Sequence, residues 1–194
     1  MNANFCRWSC RSALLVAAGI LLFSDQAFSA EEMIDFESLS PEFPGWAGTI
    51  SDRGAPGQYR PAAKWDAPIA FALDSVKPHS GATCLKWEFA QDVPGMATLR
   101  SPAIPAAGPD GSVSFFVRSQ GITEEGILSF DELSADGQKV KGRWMVARIV
   151  NSEDWQEVKW SGPLDASTAS IRLAFTYKAI PAGAQVWIDD ISVK

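Results

Sequence analysis

From Ala82 to the last residue the sequence alternates apolar and polar side chains with period two. Such a chain buries one face of a strand and leaves the other to solvent. Leu85, Trp87 and Phe89 alternate with Lys86 and Glu88, and Val113, Phe115 and Val117 alternate with Ser114 and Arg118, Phe116 being the exception. Ile171, Leu173, Phe175 and Tyr177 alternate with Arg172, Ala174 and Thr176, the clearest half-buried strand of all. No segment shows a comparable helical period. Turn residues separate the runs at His79-Ser80-Gly81, Gly108-Pro109-Asp110-Gly111, Ala135-Asp136-Gly137 and Pro181-Ala182-Gly183. The pattern predicts strands near 33–37, 68–74, 82–90, 96–101, 111–119, 126–133, 141–150, 155–161, 168–178 and 184–193. Strands without helices imply two packed antiparallel sheets, an all-β sandwich.

The N-terminus differs. Arg7 and Arg11 precede an apolar and small-residue stretch from Ala13 to Phe23, and Ala27-Phe28-Ser29 offers small residues to a signal peptidase. The stretch is about half the ~20 residues needed to cross a bilayer, so it reads as a signal peptide, residues 1–29, rather than as an anchor. The expected product is one domain, residues 30–194, secreted or periplasmic and not inserted in a membrane. Removing Arg7, Arg11 and Asp25 from the 17 basic and 23 acidic residues leaves a formal charge of −7 on that product. An acidic surface disfavours nucleic acid and anionic membranes, and also anionic polysaccharides unless basic residues gather on one face. Cys6 and Cys10 leave with the signal, so Cys84 is expected to be a small buried filler without a disulfide partner.

Residues 40–67 are rich in Pro and Gly and carry Trp46, Tyr59, Arg60 and Trp65 within a weak strand pattern. They are expected to lie over the sandwich as a long loop, either functional or a disordered or merely packed excursion.

From Trp155 onward, a Trp-led strand, the Ile171–Tyr177 strand, a Gly turn and a closing Val-Trp-Ile-Asp-Asp-Ile-Ser-Val follow in order. With Ile34-Asp35-Phe36-Glu37 near the start and the segment from Ser75 to Trp87, this order resembles jelly-roll carbohydrate-binding modules of the galactose-binding-like group. Phe36-Glu37 and the Ser-Gly element ending in Leu85-Lys86-Trp87 also look like the N-terminal domain of chondroitin-type polysaccharide lyases. The resemblance implies a jelly-roll β-sandwich that binds a polysaccharide or glycan. It further implies a structural calcium ion held by one acidic residue from each end of the domain, here Glu37 and Asp189.

Strand alternation puts Asp189 on the face of Trp187, Ile191 and Val193. If that is the core face, the carboxylate points inward and must be paired, by calcium or by Arg, Lys or backbone amides. Alternation also groups Asp35 with Glu37 opposite Ile34 and Phe36, which reads as a solvated face or a metal edge.

Sugars are bound by aromatic rings laid on their C–H faces with a few polar groups around them. Trp87, Trp160 and Trp187 alternate with polar neighbours and are assigned to the core. Trp46, Tyr59, Arg60, Trp65 and Trp144 are the candidate ligand-binding residues, with ordinary packing as the rival reading for each aromatic.

Catalysis has little to stand on. Asp131 and Glu132 are adjacent, so they point to opposite faces and cannot flank one bond. No Gly-x-Ser-x-Gly elbow, laminarinase-like Glu-x-Asp-x-x-Glu or zinc motif occurs. The single His79 falls in a turn. The expectation is a non-catalytic binding protein, against a structural or adhesion sandwich or a jelly-roll hydrolase or lyase.

Overall fold

The computed structural model describes residues 32–34, 36–40, 42–51, 58–61, 69–106 and 108–194, so the expected signal peptide lies outside the described residues. Two antiparallel sheets face each other. The six-stranded sheet runs β11 (Gln156–Pro163), β8 (Asp110–Gln120), β13 (Gln185–Val193), β5 (Cys84–Phe89) and β4 (Ile69–Asp74), with β1 (Glu32–Ile34) against β13. The seven-stranded sheet runs β10 (Lys139–Ile149), β9 (Gly126–Leu133), β12 (Ser170–Ile180), β6 (Val93–Arg100), β2 (Ala47–Ser51) and β3 (Gln58–Pro61), with β7 (Ile104–Pro105) against β12.

The inner faces are the alternating apolar sets read from the sequence. Val113, Phe115 and Val117 from β8 meet Ile171, Leu173, Phe175 and Tyr177 from β12, all buried. Phe115 and Phe175 touch edge to face across the sandwich at 5.0 Å. Trp87, fully buried, stacks on Phe71 at 5.8 Å and meets Tyr177 of the opposite sheet at 6.0 Å. The strand order interleaves distant segments, so each sheet is built from both halves of the chain.

Three local expectations are corrected. Residues 47–51 and 58–61 are not loop but a hairpin, with β2 added to β6. The edge strand β3 needs few apolar residues and tolerates Pro61, and β2 is short and carries Gly48, so the hairpin's sequence shows little alternation. The strand expected at 33–37 ends at Ile34, and Phe36 and Glu37 lie in a turn.

The third correction concerns β13. Its register slips between Asp189 and Ser192, where Asp190 takes a left-handed φ of 48°. This bulge reverses the alternation. Ile191 and Val193 therefore face the core, whereas Trp187 and Asp189, opposite Arg118 and Phe116 of β8, face outward. Trp187 is not a core residue; it lies beneath the Arg118 guanidinium, 3.9 Å from its ring, and donates its indole N–H to Asp74 Oδ2 at 2.6 Å.

Candidate functional site

The outer face of the seven-stranded sheet gathers the polar positions that the inner alternation leaves over. One row crosses the whole sheet in register: Tyr59 opposite Thr49, then Thr98, Thr176, Ile127 and Arg148. The Thr98 and Thr176 hydroxyls hydrogen-bond at 2.9 Å. The next row holds Ala47, Arg100, Ala174 and Ser129. Small side chains thus floor the middle of the sheet.

The candidate residues fall at its two edges. Tyr59 and Arg60 belong to β3 and Trp144 to β10, the two outermost strands of the sheet order. Trp144 falls where Arg143 and Ala147 oppose Phe130 and Leu128, so that four steps on β10 match two on β9. Such bulges re-aim side chains and recur beside functional sites. Trp65 lies outside the described residues.

Trp46 is corrected. It is 2% exposed and packs on Phe36 at 6.1 Å, inside the core. Two tight turns, with Phe43 and Gly45 at φ 48° and 79°, carry the chain inward just before it. A Cβ on Gly45 would stand 2.9 Å from Pro102, so glycine is required there. Trp46 is no exposed platform.

Charges flank the floor. Asp131 accepts from Arg100 at 3.3 Å and pairs with Lys139 at 2.6 Å. At one end an open cleft of about 340 Å³ is lined by Glu124, Glu125, Gly126, Ile127, Arg148 and Lys178, with Arg148 paired to Glu125 at 3.0 Å. Glu132 points the other way, into the sandwich edge in register with Ile171, and accepts from Arg143, the Asp165 amide and the Thr168 hydroxyl. Asp131 and Glu132 therefore occupy opposite faces, each in ion pairs.

Glu37 and Asp189 both grip one turn, residues 79–83. Glu37 Oε1 accepts the amides of Ala82 and Thr83 at 2.6 and 2.8 Å. Asp189 Oδ2 accepts those of His79 and Ser80 at 2.9 and 3.3 Å. Asp189 is not core-facing as alternation implied, yet the turn covers it to 2% exposure. That burial above all raises its pKa, with the charge of Asp190 adding to the effect, while amides of Ser80, His79 and Asp190 offset part of it.

Asp190 holds His79 Nδ1 and the Ser80 hydroxyl, each at 2.6 Å, and the His79 ring stacks on Phe116 at 3.5 Å. This explains the apolar exception at position 116: it carries the turn. Cys84 is fully buried, and burial pushes its thiol up to about 12, which leaves no thiolate for chemistry.

Solved structures share this architecture. The CBM22-1 xylan-binding domain of Paenibacillus barcinonensis Xyn10C superposes with a TM-score of 0.52 at 10% identity, over 84% of this chain and 92% of that one. The family 11 carbohydrate-binding module of Clostridium thermocellum, solved with a β-1,3-1,4-mixed-linked tetrasaccharide, gives 0.54 at 18% identity, over 84% and 94%. This chain is a jelly-roll sandwich of the carbohydrate-binding-module fold. A third such structure, of modules described as promiscuous in specificity, gives 0.57 at 18% identity over 82% of this chain and 60% of that one. No family model and no curated protein matches the sequence. The likeness is therefore one of fold.

The outer face of the seven-stranded sheet also holds polar residues that were not singled out from the sequence. Thr98, Arg100, Asp131, Arg172 and Thr176 lie on strands between the edge strands that carry Tyr59, Arg60 and Trp144, and their only signal was their place as the polar half of the alternation.

Proposed function

We propose that the chain is an exported, non-catalytic carbohydrate-binding module that holds a polysaccharide across the outer face of the seven-stranded sheet. The observation that carries this reading is the transverse row, short hydroxyl-bearing side chains between an edge strand with Tyr59 and a bulged edge strand with Trp144. A floor of small groups admits a sugar chain, hydroxyls supply hydrogen bonds, and Tyr59 and Trp144, carried on the two edge strands, are the residues assigned to C–H contact.

The test is a binding screen of the mature protein against soluble and insoluble polysaccharides. Trp144→Ala and Tyr59→Ala are each expected to weaken binding at least tenfold, about 1.4 kcal/mol. Undiminished affinity in both variants would place the ligand elsewhere. Release of reducing or unsaturated sugar from a bound polysaccharide would show an enzyme instead. Export predicts that the protein recovered from its host begins at Ala30.

A structural or adhesion sandwich is the second reading, favoured by the burial of Trp46. It predicts no binding to any glycan.

A structural calcium ion belongs to the same proposal. Glu37 and Asp189 hold neighbouring amides of one turn, and amides satisfy a carboxylate without neutralising it. Asp189, buried beside Asp190, is the charge that a cation would compensate. Glu37 and Asp189 would hold the ion, which supplies charge neutralisation between the first and last segments of the sandwich. At about one hundred times its dissociation constant, calcium stabilises a folded domain by ~2.7 kcal/mol. Thermal unfolding with calcium and with a chelator is expected to differ by several degrees, and coincident curves would remove the ion from the account.

A further inference from the structure

We infer that the outer face of the seven-stranded sheet selects an acidic polysaccharide, one bearing carboxylate or sulfate groups, over a neutral one. The inference rests on the reading that a glycan lies on this face.

The whole chain carries a formal charge of −6, so it repels an anionic polymer unless its basic residues are gathered. Five of them share this sheet. Arg100, Arg148, Arg172 and Lys178 all occupy outward register positions on this one sheet, and Lys139 reaches the same face through Asp131.

The central strand β12 shows the arrangement most directly. Its outward residues in order are Arg172, Ala174, Thr176 and Lys178, a cation at each end of a strip of small side chains. At ~3.4 Å per residue the two cations stand about 20 Å apart along the strand.

Neither cation is spent among the described residues. Asp131 lies opposite Arg172 in register, but its carboxylate is held by Arg100 and Lys139. Among the described residues Arg172 and Lys178 have no ion-pair or hydrogen-bond partner. Arg172 is half-buried as a residue and has gained no anion among the described residues. A planar guanidinium without an anion matches a carboxylate or sulfate through two parallel N–H donors. The Lys178 end is weaker, because Glu124 and Glu125 line the cleft beside it. The Arg172 end is the anion subsite.

The experiment compares polygalacturonate with its fully methyl-esterified, neutral form, and dextran sulfate with dextran, by affinity electrophoresis and calorimetry at two salt concentrations. The wild-type protein is expected to bind each charged polymer at least tenfold more tightly than its neutral partner, less so at high salt. Arg172→Glu, with its fold checked by circular dichroism, is expected to lose at least tenfold on the charged polymers. Lys159→Glu, the same charge change on an exposed residue of β11 in the other sheet, is expected to lose far less. Equal affinity for charged and neutral polymers, or equal losses in the two variants, would overturn the inference. Binding to neutral polymers alone would overturn it while leaving the glycan-binding reading intact, whereas binding to none would overturn both.

Discussion

Replacing Glu132 with alanine is expected to destabilise the protein by about 3–5 kcal/mol, the range for breaking a buried ion pair from one side. The Glu132 side chain is wholly excluded from solvent, a rare place for a carboxylate. It is tolerated because three donors converge on it: the Asp165 amide and the Thr168 hydroxyl, each at 2.7 Å, and the Arg143 guanidinium. Arg143 in turn reaches the Pro163 carbonyl, so the cluster ties β9 and β10 to the segment after β11. Alanine would leave an amide, a hydroxyl and a cation without their acceptor. Urea unfolding measures the loss, and a shift below about 1 kcal/mol would mean that water replaces the carboxylate freely.

The same residue sets an acid dependence. Burial by itself would raise the Glu132 pKa, but the Asp165 amide, the Thr168 hydroxyl and Arg143 outweigh it and hold the carboxyl below its ordinary value. A folded-state pKa below the unfolded one, about 4.3, contributes stability that is full above that pH and is lost as pH falls through the folded value. Wild type and Glu132→Ala should therefore differ most near neutrality and converge in acid. Parallel stability curves down to low pH would contradict the assignment.

Trp87→Ala is expected to cost about 3–5 kcal/mol, as large-to-small changes at filled core positions do. Trp87 lies at the junction of the two sheets: it stacks on Phe71 in the neighbouring strand, meets Phe89 at 4.8 Å and reaches Tyr177 across the sandwich. At roughly 2–4 °C per kcal/mol for a domain of this size, the midpoint should fall by about 10 °C. Trp87→Phe should cost much less, because it keeps a ring in place and removes an indole N–H that has no hydrogen-bond partner among the described residues. Equal losses in the two variants would mean that the indole nitrogen, rather than ring volume, matters at this position.

The repeat of apolar residues at every second position was enough to read the sandwich. Leu85, Trp87 and Phe89, the β8 set and the β12 set all face the core as their spacing required, because a strand has only two faces and water sorts them. The β2–β3 hairpin is weakly marked in the sequence because β3, the sheet edge, lacks a second ladder and the short β2 carries Ala47, Gly48 and Thr49 in place of large apolar residues.

The face of Trp187 and Asp189 departs from the alternation for a different reason. Alternation extrapolates along a regular strand, and one residue in the left-handed region, Asp190, reverses it. No neighbouring residue type announces that reversal, since it is stabilised by the His79 turn, about 110 residues away in the chain.

Trp46 shows the same limit. A tryptophan in a Pro- and Gly-rich segment reads equally as an exposed ring or a plug for the core, and only the turns at Phe43 and Gly45 decide for the plug. The sequence by itself determined an all-β chain, the identity of its buried faces and a short roster of polar and aromatic residues left for the outside. Only the tertiary structure decided that Tyr59 and Arg60 share a sheet with Trp144, with Arg100, Arg172 and the threonines between them. Strand order depends on contacts between residues far apart in the chain, whereas periodicity records only which side of each strand meets water.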